Sequence, residues 1–155
     1  MLINLVACVT FYKNKLLIGN DNKCIFNLKK DMKFFKNLTT NSLLEKSYFK
    51  ENIVIMGRKT FESFPGLLKG RYNFILTKDQ NLINMNIDNI DNIDNIDNIN
   101  NDLILDINTP YYMSIYTFIK IYIKYRINVF VIGGAQIYKL FLDYSCIIKP
   151  SKLYI

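Results

Sequence analysis

The chain has 155 residues, 50% of them hydrophobic and 21% charged, with a formal net charge of +7 and no histidine. That length supports one compact domain, burying roughly 70% of its unfolded surface, and the composition excludes a disordered or collagenous polypeptide. The lack of histidine excludes Ser-His-Asp and Cys-His catalysis and most zinc chemistry.

Residues 3–11 are an apolar, β-branched run suited to a strand buried on both faces, and 12–15 read as a turn. Asn27 is an N-cap for a helix over 28–38, where Leu28, Met32, Phe35 and Leu38 recur at helical spacing with lysines between them. A second buried strand at 53–56 meets Gly57 and passes into a short helix beginning near Thr60, and 73–77 is a third strand. From 86 to 99 the chain repeats Asn-Ile-Asp or a near equivalent every three residues, a period that fits neither a helix face nor a strand face. It reads as an expanded codon repeat in a surface loop, so the insert 81–101 is expected to be disordered. Beyond it, 103–107 suits a strand, 113–124 a helix, 128–132 a strand and 135–142 a helix. Strands alternating with helices predict a single α/β domain over 1–155, a mostly parallel sheet flanked by helices, with its ligand at the carboxyl ends of the strands.

Isoleucine, asparagine and lysine fill 24, 20 and 17 positions, while alanine occurs twice and arginine three times. This is the signature of an AT-rich coding sequence, so bulk charge says little about partners. The lysines are scattered and no basic stretch is interleaved with aromatics, so no nucleic-acid partner is expected. Cys8, Cys24 and Cys146 have neither disulfide nor metal-ligand spacing, which points to a reducing, cytoplasmic compartment and to no bound metal. The N-terminus lacks a basic flank, and the apolar stretch 111–125 is short and broken by Lys120 and Lys124, so no membrane segment is expected.

Two junctions share one design, each a buried strand turning at glycine into a helix: Ile53-Val-Ile-Met-Gly57-Arg-Lys-Thr60 and Val129-Phe-Val-Ile-Gly133-Gly-Ala-Gln136. Such a turn aims unpaired N–H groups at an anion, and two together point to a dinucleotide. Singly, each is equally a plain structural turn, since neither is a generic nucleotide fingerprint. Against a lysine-favouring background, Arg58 and Arg71 lie in turn contexts where a planar fork suits phosphate or carboxylate; the alternative is solvated surface charge. Asp31, on the amphipathic helix, is placed either for proton transfer or as a first-turn acid favoured by the helix dipole.

Several stretches together resemble dihydrofolate reductase: Ile3-Asn-Leu-Val-Ala7, Ile18-Gly19, Phe26-Asn-Leu-Lys-Lys-Asp31-Met-Lys-Phe-Phe35, Val54-Ile-Met-Gly-Arg-Lys-Thr-Phe-Glu-Ser63, Leu68-Lys-Gly-Arg71, Asn73-Phe-Ile-Leu76 and Val131-Ile-Gly-Gly-Ala-Gln-Ile-Tyr138. Their order fits the family throughout, apart from the repeat. The resemblance implies NADPH-dependent reduction of 7,8-dihydrofolate to tetrahydrofolate, with hydride delivered to C6 of the pterin and a proton to N5.

By the same resemblance, Asp31 holds the pterin and promotes protonation, and Val6, Ala7, Phe26, Met32, Phe35, Phe64, Leu68, Ile132 and Tyr138 line the substrate site. Arg71 matches the residue that grips the α-carboxylate of the glutamate tail. Ala7, Ile18 and Gly19 match the nicotinamide side; Thr60, Gly134, Ala135, Gln136 and Ile137 match pyrophosphate contacts; Arg58, with Lys59 and Lys78 nearby, matches the 2′-phosphate cluster; and Gly133, Leu76 and Thr77 complete the implied cofactor-binding set. The Gly133–Gly134 bond is expected to be cis.

Three departures stand out. Phe26 replaces a common Trp and loses its N–H donor. Cys24 and Ile25 replace a frequent Met-Pro or Leu-Pro in the segment over the nicotinamide. Residues 151–155 look like the start of a further strand, after which the family continues with a Thr that bonds the catalytic Asp and with the strands beside strand one. On that reading the chain is truncated, lacks the C-terminal strands and exposes an apolar edge at 3–11, prone to association, whereas a complete chain is a monomer. Alternatives are a non-catalytic remnant that binds NADPH or antifolates, and a pyrimidine reductase of riboflavin synthesis, which shares the fold.

Overall fold

The computed structural model describes residues 2–18, 29–41, 49–85, 105–125, 127–145 and 147–155. In chain order the elements are β1 (Leu2–Val6), β2 (Thr10–Tyr12), β3 (Lys15–Leu17), α1 (Lys29–Thr40), β4 (Ile53–Gly57), α2 (Arg58–Glu62), β5 (Tyr72–Leu76), α3 (Gln80–Asn84), β6 (Pro110–Met113), α4 (Ile115–Tyr125), β7 (Asn128–Gly133), α5 (Ala135–Asp143) and β8 (Pro150–Tyr154). Six strands form one sheet in the order β6-β5-β4-β7-β1-β8, and every neighbouring pair is parallel.

The near-continuous apolar runs of β4, β5 and β7, with the buried Asn73 and Asn128 as polar exceptions, reflect burial on both faces, because successive side chains point to opposite sides. On one face Ile3, Ile53, Ile55, Phe74, Val129 and Val131 pack with Phe118 and Ile121 of α4 and Phe141 of α5. The rings of Phe118 and Phe141 meet at 5.5 Å, and burying each contributes about 1.5–3 kcal/mol. On the other face Val54, Met56, Ile75 and Phe130 form a smaller floor against which Leu38 of α1 and Phe61 of α2 pack.

The structure redraws several predicted elements. The run 3–11 breaks after Val6, and Thr10–Tyr12 pairs antiparallel with Lys15–Leu17 through a two-residue turn, Lys13 and Asn14, at φ of 47° and 60°. Positive φ at both positions is the hairpin geometry that matches strand twist. β1 is not an edge, because β8 pairs with it on the side away from β7, and the Ala7 N–H extends the pairing to the Tyr154 carbonyl at 2.9 Å. The predicted apolar edge is thereby corrected.

No strand occupies 105–109, where Asp106 accepts the Asn108 N–H in a local turn; the strand is Pro110–Met113. Tyr111 and Met113 are buried in period-two alternation, and the Ser114 hydroxyl caps α4 by accepting the Thr117 N–H at 3.1 Å. Apolar length hid both signals from the periodicity reading. α2 starts at Arg58, two residues ahead of Thr60. Residues 81–84, assigned to the structureless insert, continue α3, which Asp79 caps through the Asn81 N–H. The repeat itself, the 27–28 start of α1 and the strand residues 103–104 lie outside the described residues.

Burial raises the phenol pKa of Tyr72, Tyr111, Tyr112, Tyr122 and Tyr138 above its ordinary value. Since the folded values exceed the unfolded one of about 10, stability is intact below that pH and declines as pH rises through the folded values. Tyrosinate absorbance and circular dichroism should change together in an alkaline titration. Ionisation completed before the fold is lost would contradict this.

Candidate functional site

The two strand–glycine–helix junctions end up side by side, because β4 and β7 are adjacent and parallel. Their register shifts from Ile55 opposite Val131 to Met56 opposite Gly133, leaving Ile132 as an extra residue. This is a bulge that re-aims the end of the strand. Gly133 sits at φ +126°, and the Gly133–Gly134 peptide bond is cis.

Side-chain space explains the glycines. A Cβ on Gly57 would meet Ile137 Cγ1 at 3.0 Å, one on Gly133 would meet Tyr138 Oη at 3.3 Å, and one on Gly134 would lie 3.4 Å from Thr60 Oγ1. The Gly134 carbonyl accepts the N–H groups of Ile137 and Tyr138 at 2.8 and 3.1 Å, and no side chain caps α5. The N–H groups of Ala135 and Gln136 therefore precede the first intrahelical bond at a positive helix end. Tyr138 donates to the Val6 carbonyl at 2.6 Å, tying α5 to the end of β1.

On the smaller apolar face, Val6, Phe64, Leu68 and Ile132 gather half-buried around the floor. Leu38, Phe61 and Tyr112 join them. These three were not singled out by the sequence reading, although Leu38 already stood in the helical pattern. Asp31 lies half-buried in the first turn of α1 and makes no hydrogen bond or ion pair with another described residue. Met32 is 42% exposed and stands apart from that apolar group. Ile18 is also exposed, at the end of β3. Gly19, Cys24, Ile25 and Phe26 lie outside the described residues.

Arg71 is buried, with its guanidinium carbon 5.5 Å from the centre of the Phe35 ring and one nitrogen donating to Thr39 Oγ1. Among the described residues its Nε has no partner and no carboxylate lies at ion-pair distance. Desolvation lowers its pKa from the ordinary arginine value. A desolvated cation without a counter-charge favours an incoming anion.

Arg58 is in the opposite condition. Its Nη1 meets Asp79 Oδ2 at 3.0 Å and its Nε meets Glu62 Oε1 at 3.4 Å, in a half-exposed setting. Asp79 is itself held by capping α3 and by its N–H donating to Thr77 Oγ1. Lys59 and Lys78 are exposed beside this cluster in sequence, at the carboxyl ends of β4 and β5. The sequence reading found Arg58 but not its partner 21 residues away.

Residues 3–153 match the model of the family described as dihydrofolate reductase. A dihydrofolate reductase of Pneumocystis carinii is 33% identical over 144 residues, covering 90% of this chain and 61% of that protein. A bifunctional dihydrofolate reductase-thymidylate synthase of Daucus carota is 37% identical over 125 residues, covering 79% of this chain and 20% of that one. A dihydrofolate reductase of Candida albicans is 30% identical over 147 residues, covering 93% and 64%. The chain thus spans less than two thirds of the length of each of these relatives.

Proposed function

The chain belongs to the dihydrofolate reductase family, and from that premise we propose that it reduces 7,8-dihydrofolate to tetrahydrofolate with NADPH. The observation that carries the reading is α1, which bears Asp31 in its first turn and, in its last, the Thr39 hydroxyl that accepts from Arg71. Eight residues of helix separate those positions by about 12 Å. A carboxylate at one end, a buried cation with no ion-pair partner among the described residues at the other and an apolar wall beside them suit a rigid ligand with a hydrogen-bonding heterocycle and an anionic tail.

In this reading Asp31 holds the pterin ring and promotes protonation at N5, with Val6, Phe64, Leu68 and Ile132 keeping water from the reacting ring. Arg71 takes the tail carboxylate by paired, charge-assisted hydrogen bonds. The Gly57 and Gly133 positions, where added Cβ atoms would crowd Ile137 and Tyr138, keep the backbone of the two junctions bare, which fits the close approach that a dinucleotide needs. Thr60, Ala135, Gln136 and Ile137 would hold its pyrophosphate, Ala7, Ile18 and Gly19 its nicotinamide, and Arg58 with Lys59, Thr77 and Lys78 its 2′-phosphate. When bound, NADPH supplies the hydride.

The direct test follows NADPH absorbance with dihydrofolate as substrate. Turnover by the folded chain supports the reading; a folded chain that neither turns over nor binds methotrexate overturns it. Arg58→Ala should reduce the kcat/KM preference for NADPH over NADH about tenfold. Parallel kinetics with the two cofactors check this, and an unchanged ratio would remove Arg58 from phosphate recognition.

A further inference from the structure

Behind Arg71 runs a line of buried polar side chains. Asn4 of β1 donates to Asn128 Oδ1 of β7 at 3.2 Å, and Asn128 donates to Asn52 Oδ1, just ahead of β4, at 3.1 Å. Asn52 Nδ2 then donates to the Thr39 carbonyl at 3.0 Å and the Asn41 carbonyl at 2.9 Å, closing the C-terminal end of α1. Asn4, Asn52, Asn128 and Thr39 are at most 2% exposed. Thr39 Oγ1 donates to the Phe35 carbonyl at 2.7 Å, which turns its lone pairs toward Arg71.

Burying three amides is costly unless each is satisfied, and an apolar packing of strand starts would serve stability as well. Of the three, Asn52 alone reaches α1, at the Thr39 carbonyl of its last turn and the Asn41 carbonyl just beyond, whereas the buried Asn4 Oδ1 has no partner among the described residues. That turn carries the neutral acceptor for Arg71, so the guanidinium is held in place with no carboxylate partner among the described residues.

We infer that Asn52, backed by Asn128 and Asn4, is a positioning residue for Arg71 and thereby sets recognition of the anionic tail of the substrate. The inference rests on the assignment of Arg71 made above. It concerns residues buried within the protein interior.

The test compares dissociation constants of methotrexate, which has a glutamate tail, and trimethoprim, which has none, across variants of the full chain. Asn52→Ala should weaken methotrexate about tenfold, the scale of a displaced charge-assisted hydrogen bond, and leave trimethoprim unchanged. Thr39→Ser, which keeps the hydroxyl, should retain the discrimination. Should Asn52→Ala not fold, Asn128→Ala, which leaves the Asn52 bonds to α1 in place, should shift the ratio in the same direction by a smaller factor. Equal weakening of both ligands, or no change in either, in the variant that folds overturns the inference. An Arg71→Leu variant measured alongside separates the two claims. If it loses discrimination while the asparagine variants keep it, only the positioning line falls; if it keeps discrimination, the assignment of Arg71 falls and the inference with it.

Discussion

Asp31→Asn should lower kcat for dihydrofolate reduction by about 10²–10³-fold, the usual scale for loss of a positioned acid–base group. The substitution conserves volume and hydrogen-bonding shape and removes the carboxylate. Among the described residues, the Asp79 and Glu62 carboxylates are engaged with Arg58, whereas the Asp31 carboxylate makes no hydrogen bond or ion pair. No histidine exists to take over its task. The stability cost should be small, about 0.3–1 kcal/mol for a first-turn charge on a helix dipole. Steady-state kinetics together with a melting curve test both halves. A variant with unaltered kcat would move the proton-handling role away from α1.

The second large effect is expected at the glycine turn. Gly133→Ala puts a side chain at φ +126°, a conformation that L residues rarely adopt, and places its Cβ 3.3 Å from Tyr138 Oη. That hydroxyl donates to the Val6 carbonyl at 2.6 Å, so displacing it also loosens the tie between α5 and β1. Backbone strain and a disturbed buried hydrogen bond together cost about 2–4 kcal/mol, a fall in Tm of about 10 °C for a chain of this size. Affinity for NADPH should fall as well, since the turn forms one side of its proposed site. Calorimetry and a fluorescence titration with NADPH would check the pair. A Gly133→Ala chain that melts with the parent would show that Tyr138 yields without cost. Tyr138→Phe, which loses the hydrogen bond and keeps the ring, separates that contribution from the strain.

Much of this framework was legible from local pattern. The buried runs at β1, β4, β5 and β7, the amphipathic α1 and the two glycine junctions each show a period or a turn residue within a few positions of themselves. Arg58 and Arg71 were conspicuous because the coding bias favours lysine, so an arginine retained beside a turn carries information. β6 was less legible, since Tyr111 and Met113 stand in an apolar stretch continuous with α4, and only the Ser114 cap separates the two.

Other features have no local signature. Asn4, Asn52 and Asn128 are three among 20 asparagines, and nothing in their immediate neighbours marks them as one buried line. The pairing of Arg58 with Asp79 spans two strand–helix connections, and the protection of β1 comes from β8 at the other end of the chain. By itself, then, the sequence determined the buried strand runs at β1, β4, β5 and β7, the amphipathic α1, the two glycine junctions and which ionisable groups are available for chemistry. Those properties depend on side-chain period and backbone sterics, which are short-ranged. Tertiary structure alone decided which charges are compensated, leaving Arg71 without a carboxylate partner among the described residues and Arg58 paired, and which polar groups support the site from behind. Charge compensation and hydrogen-bond satisfaction depend on partners that only the folded sheet brings within about 3 Å.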